Sequence, residues 1–129
     1  RFYGSRGYRF GRGQGLVVDQ SPCLKSNEDW TVLMHLSLDN TDTRTALLRS
    51  DGWGEYGLYV EKRQFKLLPD GAQMQCRERV NPGVQYKLAM TRSDKGLVRL
   101  YINGYLCIEG KPPYVHSFLP SATGLTFMR

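Results

Sequence analysis

Acidic side chains are the first candidates for chemistry in this sequence, because hydrolases of the paired-carboxylate type need two acids on one face of an element. In a strand, two acids share a face only when they are separated by an even number of positions, because successive side chains point to opposite faces. Glu28 and Asp29 are instead adjacent. Glu55, Glu61 and Glu78 are isolated, at expected turns or hairpin tips. The sequence therefore predicts a protein that is not an enzyme.

Nucleophiles and metal ligands are also sparse. The two histidines are His35 and His116, and no Gly-x-Ser-x-Gly motif is present. We interpret His35 as a packed or surface residue of a strand rather than a catalytic base. The three cysteines, Cys23, Cys76 and Cys107, leave open one bridge plus a free thiol or three free thiols. With no Cys-x-x-Cys pair or Cys/His cluster, a structural zinc site is not expected.

One loop offers oxygen ligands for calcium. Asp39, Asn40 and Asp42 place three oxygens close together, and Asp51 lies one hairpin away along the chain. Carboxylate and amide oxygens are ligands that Ca²⁺ prefers. The same composition is also typical of a simple polar turn, so the two interpretations stay open, and no other cofactor is expected.

A sugar-binding site needs an exposed aromatic ring beside hydrogen-bonding side chains. The best such group in the sequence is Trp53, in a glycine-flanked loop, with Arg49, Glu55 and Tyr56 nearby. This group predicts a glycan site. The alternative is that Trp53 caps the core or anchors a protein partner, since Trp and Arg also serve as anchors in interfaces.

The N-terminal segment is basic and aromatic. The whole chain carries 18 Lys and Arg against 12 Asp and Glu, for a net charge of +6, and no acid precedes Asp19. The candidate partner-binding residues of this segment are Arg1, Arg6, Arg9, Arg12, Tyr3 and Tyr8. Such an arm suits phosphate, acidic lipid headgroups or an acidic protein partner, although a solvated terminus has the same composition. No nucleic-acid-binding motif accompanies it.

Short strands between turn signals make up most of the chain. The strongest signal is the segment 97–110, in which Asn103-Gly104 predicts a type I′ turn that places Ile102 opposite Tyr105. The expected faces are Val98, Leu100, Ile102, Tyr105 and Cys107 on one side, and Arg99, Tyr101, Leu106 and Ile108 on the other. The segments 84–92 and 30–38 alternate in the same way. No amphipathic helix is indicated, so we predict an all-β, two-sheet antiparallel sandwich with little or no helix.

The run from 83 to 104 resembles laminin-G-like and related concanavalin A-like jelly rolls. The matching residues are Thr91-Arg92-Ser93-Asp94 followed by Leu100-Tyr101-Ile102-Asn103-Gly104. The resemblance implies a jelly-roll sandwich. That fold hosts lectins, glucanases and interaction modules. Our first interpretation is a non-catalytic interaction module or accessory subunit of a larger assembly, and the alternative is a lectin-like carbohydrate-binding domain.

The chain of 129 residues is the size of one domain, which we place at 1–129. Its longest apolar runs are far shorter than the roughly 20 residues of a membrane span. The start at Arg1, without an initiator Met or signal sequence, predicts a processed form or a segment of a longer protein. Domains that it resembles continue into a closing strand beyond the position of Arg129. We therefore expect 125–128 to pair with the region 8–18 or to be covered by another chain.

Overall fold

The computed structural model describes residues 2–3, 7–11, 14–18, 29–49, 57–68, 74–111 and 125–128. Within these ranges the chain forms eleven β-strands and no helix, so no helix there is long and apolar enough to cross a membrane. The strands are β1 Phe2–Tyr3, β2 Gly7–Tyr8, β3 Leu16–Val18, β4 Trp30–Leu36, β5 Thr45–Arg49, β6 Gly57–Glu61, β7 Gln64–Leu68, β8 Tyr86–Arg92, β9 Val98–Ile102, β10 Tyr105–Gly110 and β11 Leu125–Phe127.

The described strands form two main antiparallel sheets. One has four strands in the order β10-β9-β8-β4, and the other has five in the order β3-β11-β5-β6-β7. β1 and β2 pair separately as a two-stranded ribbon. The prediction of an all-β, two-sheet antiparallel sandwich is confirmed.

The core lies between the two main sheets. Side chains from both sheets belong to one buried cluster, which includes Leu58 and Phe65 from the five-stranded sheet and Leu88 and Leu100 from the four-stranded sheet. The ring of Phe65 meets Tyr86 edge to face, with 5.5 Å between centroids. β4 shows the origin of this packing, because its alternate residues from Trp30 onward are turned inward and those between them are exposed.

The hairpin of β9 and β10 has the predicted turn. Asn103 and Gly104 have φ values of 51° and 88°, as a type I′ turn requires, and Ile102 pairs with Tyr105. The turn is also joined to β8, because the backbone N–H of Asn103 donates to the carbonyl of Lys87 at 2.8 Å. In return, the backbone N–H of Lys87 donates to the Asn103 side chain at 2.9 Å.

A β-bulge in β10 makes part of the predicted face assignment wrong. Leu106 pairs with Tyr101 as expected, but the next paired residue is Ile108, which lies opposite Leu100. The extra residue is Cys107, and after it the strand presents the opposite set of side chains to the core. Ile108 is consequently buried on the side of Leu100, although alternation placed it on the side of Arg99 and Tyr101. Burying a side chain of this size stabilises the fold by about 1.5–3 kcal/mol, which favours the bulge.

Cys107 is joined to Cys76 by a disulfide, with 5.5 Å between the Cα atoms. The disulfide connects β10 to the irregular segment 74–80. This segment lies beside β7, with which it forms an isolated antiparallel β-bridge between Gln75 and Lys66. The sequence left open either one disulfide or three free thiols, and the structure has a disulfide. Cys23 lies outside the described residues.

β11 is an inner strand of the five-stranded sheet. Leu125 and Phe127 pair with Val18 and Leu16 of β3, and Phe127 also pairs with Leu48 of β5. The prediction that 125–128 pairs with the region 8–18 is thereby confirmed. Since β11 has a neighbour on both sides, no second chain is needed to pair its backbone.

The hairpin of β6 and β7 turns through Lys62 and Arg63, both with positive φ, at 51° and 63°. Neither residue type favours this region, in contrast to Asn103-Gly104. The turn is held from outside the hairpin: the N–H groups of Lys62 and Arg63 donate to the carbonyls of Asp42 and Thr41 at 2.9 and 2.7 Å. The carbonyl of Arg63 accepts from Val80 at 2.8 Å. Bonds to distant loops thus stabilise a locally unfavourable turn.

Candidate functional site

The side of the four-stranded sheet that points away from the core is a candidate binding surface, which we call the outer face. Alternation along β4, β8 and β9, with the bulged β10, determines its members. They are Thr31, Leu33, His35, Lys87, Ala89, Thr91, Arg99, Tyr101, Leu106 and Glu109. The exposure of His35 at this surface agrees with its interpretation as a strand residue.

The central row of the outer face crosses all four strands and contains a hollow. Leu33, Ala89, Tyr101 and Leu106 are successive cross-strand neighbours. Leu33 and Tyr101 are two strand spacings apart, about 10 Å, and only the methyl group of Ala89 stands between them. The resulting depression has a volume of about 480 Å³. Leu33, 77% exposed, forms its rim, so the depression is open to solvent and partly apolar.

The neighbouring row is polar. Thr31, Thr91, Arg99 and Glu109 are cross-strand neighbours, one step along the strands from the central row. Thr31, Thr91 and Arg99 line a second depression of about 550 Å³, which Tyr101 also lines. The Tyr101 ring therefore separates an apolar hollow from one rich in hydroxyl groups, an arrangement that suits a ligand with both apolar and hydroxyl surfaces.

Arg99 is the cation of this polar row. Its Nε donates to Oε2 of Glu109 at 2.6 Å, and this bond raises the pKa of the guanidinium. Among the described residues, its two Nη groups have no hydrogen-bond partner. Glu109 thus fixes one edge of the guanidinium plane and leaves the other edge for a carboxylate or sulfate, which Arg binds through two parallel N–H groups.

The exposed side of the five-stranded sheet is different, because charged side chains cover its aromatic ring. Glu61 accepts from Arg44 at 3.0 Å and from Lys66 at 3.3 Å. These bonds, that from Arg44 foremost, lower the pKa of Glu61. The guanidinium of Arg44 also lies over Tyr59, 5.9 Å from the ring centroid, and Tyr59 is buried. This ring is not available to a ligand, whereas Tyr101 is half exposed.

The glycan group predicted from the sequence is only partly within the described residues. Arg49 is the exposed last residue of β5 and pairs with Gly57 of β6. Trp53, Glu55 and Tyr56 lie outside the described residues. This group therefore stays a prediction, and its one described member, Arg49, belongs to the five-stranded sheet rather than to the outer face.

The N-terminal partner-binding group is likewise represented by one described side chain. Arg9 donates through Nη2 to Oδ2 of Asp39 at 2.7 Å, and both side chains are exposed. An exposed pair of this kind contributes little to stability, roughly 0–1 kcal/mol. Arg1, Arg6, Arg12 and the side chains of Tyr3 and Tyr8 lie outside the described residues.

The predicted calcium loop folds as a side-chain-stabilised turn. Oδ1 of Asn40 accepts the backbone N–H groups of Asp42 at 2.9 Å and Thr43 at 3.4 Å. Asp39 is paired with Arg9. Two of the predicted ligand oxygens thus have protein donors in the structure, and Asp51 lies outside the described residues. Calcium binding at this loop stays a prediction.

Sequence reasoning missed the outer face, although one signal for it was present. Leu33 interrupts the polar side of an otherwise regular alternation in β4, between Thr31 and His35. A single exposed apolar residue is common on protein surfaces, and only a contiguous apolar patch marks an interaction surface, so the signal has meaning once the neighbours of Leu33 are known. Tyr101 and Leu106 had been assigned to this side of their hairpin, and the fold places Leu33 beside them.

Comparison with known proteins adds a fold relationship. No protein family and no curated protein sequence matches the chain. Among solved structures, the chain is similar to the CBM40 of the Ruminococcus gnavus IT-sialidase bound to α2,3-sialyllactose, with a TM-score of 0.54 and 13% identity. The similarity covers 88% of this chain and 76% of that one. CBM40 is a carbohydrate-binding module with a β-sandwich fold, so the comparison supports the sandwich architecture.

Proposed function

We propose that this protein is a non-catalytic carbohydrate-binding module whose outer face binds an acidic glycan. The observation that carries the proposal is the solvent-open surface on which Tyr101 stands between an apolar hollow and a row of hydroxyl and guanidinium groups. The similarity to the CBM40 module gives independent support, since that protein was solved with a bound glycan. The glycan interpretation therefore takes precedence over the accessory-subunit interpretation.

Each part of a sugar has a partner on this surface. The apolar face of a pyranose ring packs on Tyr101, as sugars do on aromatic rings. Its hydroxyl groups bond to Thr31 and Thr91, and its acidic group is bound by the Nη edge of Arg99. The net charge of +6 would raise the association rate of an anionic ligand. The ligand class we propose is a glycan that bears a carboxylate or sulfate group.

A glycan array, with and without calcium, tests the proposal. We expect binding to acidic glycans that Tyr101→Ala weakens about tenfold or more, since loss of an aromatic contact and its buried area costs more than 1 kcal/mol. Arg99→Gln should reduce the preference for acidic over neutral glycans. Tyr105→Ala is the matched control, because Tyr105 is 79% exposed in the same hairpin but does not belong to the outer face. Equal loss in Tyr101→Ala and Tyr105→Ala would contradict the proposal.

The second candidate is docking of a protein partner on the same face. It is favoured by Leu33 and Leu106, which are 77% and 51% exposed at opposite ends of the central row. Exposed aliphatic side chains of this size are typical of protein interfaces rather than sugar sites. Leu106→Ser distinguishes the two, because Leu106 lines neither depression: it should leave glycan affinity within a factor of about three but abolish protein capture. Asp42→Ala separately tests the predicted calcium loop, because losing that site should remove any effect of Ca²⁺ on glycan binding.

A further inference from the structure

The Cys76–Cys107 bridge has a carboxylate beside it that the disulfide does not use. Oε2 of Glu78 lies 3.3 Å from Sγ of Cys107. A disulfide sulfur carries no hydrogen, so in the oxidised protein this contact is not a hydrogen bond. Glu78 is exposed and has other directions open to it. The position of its carboxylate is therefore better explained by a state in which the sulfurs have a different bonding partner.

That state is indicated by the ligand atoms themselves. The two sulfurs and a Glu78 oxygen all lie within 4.8 Å of one another, the only group of three such ligands found among the described residues. In a tetrahedral zinc site with Zn–S bonds of about 2.3 Å, the two sulfurs stand about 3.8 Å apart and each is about 3.5 Å from an oxygen ligand. With 5.5 Å between the Cα atoms of Cys76 and Cys107, side-chain rotation alone provides this separation.

We propose that Cys76, Cys107 and Glu78 form a redox-gated zinc site, closed as a disulfide in the oxidised protein and occupied by Zn²⁺ in the reduced protein. Two thiolates and a carboxylate together carry three negative charges, which a bound dication offsets when it displaces the thiol protons. Thiolate ligands favour Zn²⁺ over Ca²⁺ or Mg²⁺. Since Cys107 is half-buried and Glu78 exposed, the open side of the site faces solvent and water supplies the fourth ligand.

The exchange balances with a thiol reductant. Two reductant thiols supply two electrons and two protons, so that the bridge becomes two thiols and the reductant leaves as its own disulfide. Zn²⁺ then displaces both protons to solvent and binds the two thiolates. In the reverse direction, a two-electron oxidant such as a small disulfide reforms the Cys76–Cys107 bond and releases the metal. The segment 74–80 stays joined to β10 in both states, by a covalent bond in one and by a metal in the other.

Zinc titration of the whole chain tests the proposal. A Cys23→Ser background removes the third thiol, and the protein is compared oxidised and after thiol reduction with the reductant removed. We expect one Zn²⁺ per chain in the reduced form, none in the oxidised form, and none in reduced Cys107→Ser. Glu78→Gln should weaken binding at least about tenfold. Glu109→Gln is the control, because Glu109 lies in the same strand as Cys107 but pairs with Arg99.

Alkylation and circular dichroism complete the test. Zn²⁺ should slow alkylation of Cys76 and Cys107 in the reduced protein. If reduction unfolds the chain, recovery of the β-sheet spectrum on addition of Zn²⁺ supports the site, and failure to recover contradicts it. The proposal is also overturned if the folded reduced protein binds no zinc, or if Glu78→Gln binds it as tightly as the parent.

Discussion

The close packing of Gly57 in β6 gives a sharp prediction for stability. A Cβ atom at this position would lie 2.7 Å from the carbonyl oxygen of Leu48 and 3.2 Å from a ring carbon of Tyr59. Carbon and carbonyl oxygen normally approach no closer than about 3.3 Å, so Gly57→Ala requires a shift of roughly 0.6 Å. The obstacle is backbone of the neighbouring strand β5, and β6 is paired on both sides. A rigid neighbour of this kind cannot move without disturbing the sheet.

The expected cost follows from two opposing effects. Overpacking of a rigid site costs about 1–3 kcal/mol, while the smaller entropy of the unfolded chain returns about 0.4–1 kcal/mol. We expect Gly57→Ala to lower the free energy of unfolding by roughly 1–2 kcal/mol, which lowers the urea midpoint by about 0.5–1 M.

Gly110→Ala is the matched control, since its Cβ would be almost as crowded, 2.8 Å from Sδ of Met74. That neighbour is the thioether of a flexible side chain, which adjusts more easily than the backbone of a paired strand. The change in the free energy of unfolding at Gly110 should therefore stay within about 0.5 kcal/mol. If Gly57→Ala and Gly110→Ala had equal midpoints, the reasoning from backbone rigidity would be refuted.

Three further predictions concern the turn, an ion pair and the bridge. Gly104→Val should lower the free energy of unfolding by roughly 1–3 kcal/mol, because the φ of 88° at Gly104 excludes β-branched residues, whereas Gly104→Asn should lower it far less. Urea titration compares the two variants, and equal losses of stability would contradict the type I′ turn. Arg44 holds the pKa of Glu61 below its ordinary 4.5, so the stability from Glu61 is present above pH 4.5 and is lost as pH falls through the lowered pKa. Thermal melts should show Glu61→Gln less stable by about 0.5–1 kcal/mol at pH 7, and a difference that persists at pH 2 would contradict this. Replacing Cys76 and Cys107 with alanine opens a 31-residue loop and should lower the free energy of unfolding by about 3.7 kcal/mol, according to the chain-entropy relation. Chemical denaturation of this variant and the oxidised parent measures the difference, and an unchanged midpoint would show that the bridge does not constrain the unfolded chain.

The parts of the fold that follow from local chemistry were predictable. Asn103-Gly104 determines its turn from two adjacent residues, and the alternation that begins at Trp30 determines which side of β4 is buried. The bulge at Cys107 was not predictable, because nothing in the neighbouring sequence distinguishes it from a regular strand position. It depends on the burial of Ile108 and on a bridge to Cys76, 31 residues earlier.

The candidate site was hidden for the same reason. Leu33 and Tyr101 are far apart in the sequence, and they flank one hollow only because β8 lies between β4 and β9. That the small side chain of Ala89 leaves a hollow between them can be recognised only when this strand order is known. Conversely, the aromatic and acidic residues that stood out in the sequence, such as Trp53, stood out because of their type and not because of their neighbours.

The turn at Lys62 and Arg63 has a consequence for the order in which the two hairpins form. An isolated chain disfavours positive φ at each of these residues by about 1–2 kcal/mol, and the bonds that offset this come from Thr41, Asp42 and Val80, 17 or more positions away. The β6–β7 hairpin should therefore form only after those loops have docked. The hairpin at Asn103-Gly104 carries its preference locally and can form early. In φ-value terms, mutations in β9 and β10 should change the folding rate, whereas mutations at Lys62 and Arg63 should mainly change the unfolding rate.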